Sequence, residues 1–221
     1  MKQLADGVWQ LTGFPPHAIN EYLLEDVLVD AGARQGKRQI LKDLRGHTIT
    51  AHALTHAHAD HQGVSKVVCE RFEVPFWVGA NDADAAERPE LIRERQPDKP
   101  INKLFWRVMA GPGHPVDRKL VEGDEVAGFK VLDVPGHSAG HVAFWRESDG
   151  VLVLGDVLAG QNSLTGFPRG LTLPFDFFTP DPEQNRRSAK RLGELEPKLV
   201  LFGHGPPFRD TRKFVEFTRA L

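Results

Sequence analysis

Four short apolar runs in this chain end alike, each in a turn that carries histidine or aspartate. They are TITAHALTHAHADH (48–61), VLDVPGH (131–137), VLVLGD (151–156) and LVLFGHG (199–205). Such runs read as strands, and α/β sheets tend to hold their ligands at the carboxyl ends of strands. The first is the densest, with His56, His58 and His61 inside six residues and Asp60 among them. Histidine is mostly neutral at pH 7 and is a common metal ligand. A metal site, however, needs ligands that converge. The fold is therefore constrained to one in which these four strand ends meet.

The rest of the chain is compatible with that. GVWQLTG and NEYLLEDVLVDAG read as strands with tight turns, and RQGKRQILKDLRG as a helix with Ile40, Leu41 and Leu44 at helical spacing. GVSKVVCERF predicts a helix and VPFWVG the next strand. Residues 80–118 are polar and interrupted by proline, with INKLFWRVM in the middle; they predict a helical excursion, either a lid over a pocket or a helix packed on the core. EVAGFKVLDVPG reads as a strand, and HVAFWRESDGVLVLGD as a hairpin turning at SDG. GFPRGLTLPFDFFTPD reads as a long loop. An amphipathic helix then opens at Asp181 and Pro182, and a final helix follows in RDTRKFVEFTRAL. No linker or repeat divides the 221 residues, so the expectation is one α/β domain with strands layered between helices.

Composition excludes more than it assigns. A net charge of −2 gives no reason to expect a nucleic-acid or anionic-membrane partner. Cys69 is the single cysteine, so an intrachain disulfide and a cysteine-rich zinc site are both excluded; in a predicted helix, it reads as a core residue. MKQLADGVWQL lacks the apolar segment of a signal peptide, and no run approaches the length of a membrane span. The expected location is the cytoplasm.

Seven nitrogen and oxygen ligands are too many for one tetrahedral ion, but suit two ions if a carboxylate bridges them. His56 and His58 lie two apart, on one side of an extended segment, and can share an ion that His137 completes. Asp60 and His61, beyond the turn, can take a second ion with His204, and Asp156 can sit between the two. His52 shares the parity of His56 and reads as a strand residue or a support. His17, His47 and His114 receive no role.

THAHADH resembles the His-X-His-X-Asp-His signature of the metallo-β-lactamase-fold hydrolases, and PGHSAGH, GD and GHG resemble that family's later motifs in the same order. The likeness runs from residue 7 to 205. It implies an αββα sandwich of two mixed β-sheets flanked by helices, with a dinuclear site along one edge of the sheets; the chain itself is read as one domain over residues 1–221, with the excursion at about 80–118 as a lid-like helical insertion. His141 would support that site. The resemblance further implies hydrolysis by a metal-bridging hydroxide, with two divalent ions (zinc first, iron or manganese otherwise) and Asp60 as a ligand that also orients the hydroxide or relays a proton. Many lactamases of the family lack an aspartate equivalent to Asp156, whereas glyoxalase II-like and lactonase-like members keep it. A small thioester, ester or lactone is thus expected ahead of an antibiotic.

Glyoxalase II itself carries a helical C-terminal domain, and only about one helix follows GHGPPF here. Phe105, Trp106, Arg169 and Phe175 are the candidate pocket residues. Other readings are a mononuclear iron persulfide dioxygenase, a small-molecule phosphodiesterase, a β-lactamase and, least of all, a metal-stabilised binding module.

Overall fold

The computed structural model describes residues 1–162 and 168–221, with the backbone alone for residues 168 and 169. The chain starts as an antiparallel meander of β1 (Lys2–Ala5), β2 (Val8–Gln10), β3 (Tyr22–Leu24) and β4 (Val27–Val29). Helix α1 (Lys37–Asp43) leads to β5 (Ala51–Ala53), parallel to β4, and α2 (Ser65–Phe72) leads to β6 (Phe76–Gly79), parallel to β5. Three short helices, α3 (Ala83–Glu87), α4 (Glu90–Arg95) and α5 (Pro100–Met109), occupy the excursion before β7 (Arg118–Leu120). β7 completes a seven-stranded mixed sheet in the order β1 to β7.

The second sheet is a meander of β8 (Glu125–Val126), β9 (Phe129–Asp133), β10 (Val142–Arg146) and β11 (Val151–Gly155). β12 (Ala159–Gln161) and β13 (Pro168–Thr172) pair only with each other. After α6 (Pro182–Gly193), β14 (Leu199–Phe202) returns parallel to β11, and α7 (Thr211–Arg219) follows. Both large sheets are therefore mixed.

Alternation along the strands explains the layers. On β3 and β4, Tyr22, Leu24, Val27 and Val29 point into the space between the sheets, against Val131, Phe144 and Val153. Leu23 and Leu28 point outward and pack with Ile40, Leu44 and Val68 of α1 and α2. The second sheet does the same: Leu132, Trp145 and Leu152 face outward onto Leu192 and Phe214 of α6 and α7. Strands apolar on both faces need a cover on both faces, and the result is helix, sheet, sheet, helix.

Several local expectations hold and two need correction. Asp181 caps α6 by accepting from the Gln184 amide at 2.9 Å. EVAGFKVLDVPG is not one strand but β8 and β9, turned at Ala127 and Gly128, both at positive φ. The expected loop GFPRGLTLPFDFFTPD instead contains β13 and a 3-10 turn, Asp176–Phe178. Proline and glycine gave it the look of a loop, but Pro168 stands at the first position of a hairpin strand, where a missing amide is tolerated. Cys69 is buried beside Leu54 and Phe76, and burial pushes its thiol up to about 12. Among the described residues, no helix is long and apolar enough to cross a membrane.

Candidate metal centre

The loop after β5 carries His56, His58, Asp60 and His61 to the edge where β9, β11 and β14 end in His137, Asp156 and His204. Ligand atoms of His56, His58 and His137 lie within 4.8 Å of one another; so do those of Asp60, His61 and His204, and those of His56, His61 and Asp156. Asp156 Oδ2 stands 3.1 Å from His204 Nε2 and 3.6 Å from both His61 Nε2 and His137 Nε2. The structure thus brings all seven predicted side chains together, with Asp156 touching both groups.

A chain of hydrogen bonds aims the rings. Thr55 Oγ1 donates to Asp30 at 2.8 Å, and so accepts from His56 Nδ1 at 3.0 Å. His61 Nδ1 donates to the same Asp30 carboxylate at 2.9 Å. Thr179 Oγ1 donates to the Phe175 carbonyl and accepts from His137 Nδ1 at 3.1 Å. His204 Nδ1 donates to the Ala18 carbonyl. In each of these four rings Nδ1 carries a proton, which leaves Nε2 as the atom that faces another partner. His58 is turned the other way, with its Nε2 3.3 Å from the Gln96 amide.

The donor atoms here fit a cation. His56 Nε2, His61 Nε2 and Asp156 Oδ1 are buried with no hydrogen-bond partner. Burial disfavours a charge on His61 and His204, yet the carboxylates around them, Asp156 foremost, raise both, His204 to about 10. Burial alone would raise Asp156, but His204 and His61 hold it well below the usual carboxylate range. Protons here balance a concentration of negative charge that divalent ions would balance better. Neutral imidazoles with carboxylates are the donor set for zinc, iron or manganese. Gly203 keeps room for this, because a Cβ there would come within 2.0 Å of Asp156 Oδ1.

Asp30 and Asp82 were missed in the sequence. Asp82 accepts from the Ala57 amide at 3.0 Å, Ser138 Oγ at 2.6 Å and the Gly140 amide at 2.8 Å, tying the first histidine loop to the one holding His137. VLVDAG, an apolar run followed by Asp30 and a glycine, has the same form as the four runs singled out, so a signal existed. His52 is a strand residue, bonded to the Leu28 carbonyl and Ser65 and stacked on Phe76. His141 lies against His56, with Nε2 accepting from the Asp156 amide at 3.3 Å.

Above the ligands lies a cavity of about 510 Å³. Three of the four predicted pocket residues line it: Phe105, Trp106 and Phe175. The Arg169 side chain lies outside the described residues. Phe105 stacks on Phe178 at 5.5 Å, while Trp106 also serves the core, donating from Nε1 to the Pro89 carbonyl.

A two-sheet sandwich with a histidine–aspartate edge defines a class, the metal-dependent hydrolases of this architecture. The chain belongs to the metallo-beta-lactamase superfamily, whose model matches residues 16–204. It is 29% identical over 206 residues to the probable metallo-hydrolase YflN of Bacillus subtilis, covering 82% of this chain and 75% of that one. It is 31% identical over 123 residues to the hydroxyacylglutathione hydrolase GloC of Haemophilus influenzae, covering 53% and 54% of the two chains. The crystal structure of TTHA1623 in a di-iron-bound form superposes with a TM-score of 0.69 at 31% identity, covering 90% of this chain and 92% of that one.

Proposed function

We propose that the protein hydrolyses a small thioester, ester or lactone using two divalent ions. In this reading His56, His58 and His137 hold one, Asp60, His61 and His204 the other, and Asp156 lies between them. The observation that carries it is the position of Asp156, within 3.6 Å of nitrogens from both groups while Oδ1 stays unpartnered. When bound, the ions would make water nucleophilic near neutral pH and polarise the scissile carbonyl. The chain's own part is to aim the rings through Asp30, Thr55 and Thr179, and to accept a proton at Asp60 Oδ2, 3.3 Å from His204 Nε2. Likeness to GloC supports a thioester over a β-lactam. Zinc is the metal proposed first; the di-iron form of TTHA1623 supports iron as the alternative.

Residues 80–118 are proposed as a lid, since α5 places Phe105, Trp106 and Met109 in the cavity wall. The partner is a small molecule, and the proposed compartment is the cytoplasm, in keeping with one buried, unpaired cysteine.

The test is elemental analysis of protein purified without added metal, followed by thioester and lactone panels. About two ions per chain and turnover are expected; one iron per chain with persulfide-dependent oxygen uptake would replace this reading with the dioxygenase. Asp156→Asn should cost at least one ion and lower kcat/KM about 100-fold or more. Two ions held tightly with full turnover in that variant would remove Asp156 from the bridging role.

A further inference from the structure

One buried carboxyl takes no part in the metal centre. Glu21, just before β3, is 6% exposed and lines the same cavity as His58, Asp60 and His204. Among the described residues, its carboxyl makes no ion pair and receives no hydrogen bond from another residue. Its own backbone amide is its one support, and an acid buried with so little is costly; such a cost is retained where a ligand supplies a further donor.

The surroundings make room for that carboxyl without satisfying it. Oε1 lies 2.3 Å from the place where a Cβ on Gly32 would stand, and Gly32 sits at φ +56°. Only a glycine lets the acid rest there. The nearby amides of Gln35 and Gln39 also line the cavity, but are committed to the Val108 carbonyl at 2.7 Å and Asp43 at 3.0 Å. No lysine or arginine among the described residues lines the cavity. Burial, helped by the charge of Asp30, pushes Glu21 up to about 8, as befits an acid still waiting for a partner.

We propose that Glu21 is a substrate-recognition residue that receives an ammonium group on the non-reacting part of the substrate. This rests on the hydrolase reading above, with the scissile carbonyl at the metal centre. The substrate class is an amino-bearing thioester, ester or lactone whose apolar portion lies along Phe105, Phe175 and Phe178. Those rings supply contact area and Glu21 supplies the selection, because a buried acid with no partner from another residue penalises a substrate that brings no donor.

The experiment compares 4-phenylbutylamine with its uncharged counterpart 4-phenylbutan-1-ol, by calorimetric titration into the protein as purified with its metal. The amine should bind wild type about tenfold or more tightly than the alcohol, as expected of a hydrogen bond between charged groups. Glu21→Gln and Glu21→Leu should each erase that preference while keeping a melting temperature at or above wild type, since each removes an unpartnered buried acid. Equal binding of the two probes, absence of binding, or a preference surviving either variant overturns the proposal. The wild-type comparison needs no variant to fold. Because the readout is binding, lack of turnover on every thioester and lactone would sink the hydrolase reading alone. Turnover without amine preference would sink this proposal alone.

Discussion

Asp30 is a residue whose role no single contact describes. Its two oxygens take the Thr55 amide, the Thr55 hydroxyl and His61 Nδ1, so one side chain sets both His61 and, through Thr55, His56. Asp30→Asn would keep the shape but weaken the acceptors. Metal affinity is expected to fall about 10- to 100-fold, as for other groups that orient a ligand ring, with little change in fold. Competition with a chromophoric chelator measures this; unchanged affinity would mean that the loop alone aims the rings. The candidate ligands were readable in the sequence because strand, turn and side-chain type lie within one short segment. Asp82 was not, because an acid in a turn usually serves the turn and its partners lie up to 58 residues away; Asp30 showed only as the end of one more apolar run, with its histidine 31 residues away. Glu21 was hidden differently: in NEYLLED it stands before the apolar run Tyr22–Leu24 like any acid at a strand edge, and nothing local says that it lines a cavity.

Among the elements, β5 is the one whose chemistry reaches furthest from the site. His52 on this strand joins Leu28 of β4 to Ser65 of α2, and burial pushes its ring down to about 4. An unfolded chain would protonate that ring near 6.5, so the folded state binds fewer protons between the two values. The stability it contributes is complete above about 6.5 and is lost as the pH falls through 4, on the order of 3 kcal/mol. His52→Gln should therefore flatten the fall in melting temperature between pH 6.5 and 4, read as a pH series of thermal melts against wild type. A parallel slope would assign the acid sensitivity elsewhere. Helix α5 makes the opposite case. Its Leu104 and Val108 are 56% and 39% exposed, and it buries Asn102 in place of an apolar stripe. Phe105→Ala and Trp106→Ala should raise KM for apolar substrates about 10-fold, the scale of a lost hydrophobic contact. A lower melting point with unchanged kinetics would return both to the core. The helical excursion was visible in its proline-punctuated polarity, but whether it walls a cavity depends on contacts such as Phe105 with Phe178, far along the chain.

In the whole molecule the candidate metal centre lies on the seam between the sheets. His56, His58, Asp60 and His61 follow strands of the first sheet, and His137, Asp156 and His204 follow strands of the second. Bound ions would therefore fasten one sheet to the other. At free metal 1,000-fold above Kd the gain is about 4 kcal/mol, which for a chain of this size is roughly 10 °C in melting temperature. Calorimetry of chelated and reloaded protein checks it, and equal melting points would mean that the two sheets are already locked without ions. The layered fold was readable because strands apolar on both faces demand covers on both. The lone β12–β13 hairpin was not, since it belongs to neither large sheet.

The seam has a second fastening, of protein alone. Asn20 Nδ2 donates to the carbonyls of Phe202 and Gly205, and Tyr22 Oη donates to Phe202, so residues near the beginning of the chain hold the loop that bears His204. Synthesis runs from one end to the other, and these donors leave the ribosome long before their acceptors. A product that stops short of residue 202 keeps Asn20 and Tyr22 but has neither their acceptors nor the last candidate ligand. Seating His204 thus needs both stretches of chain, and no form that stops short of residue 202 holds the full set of candidate ligands.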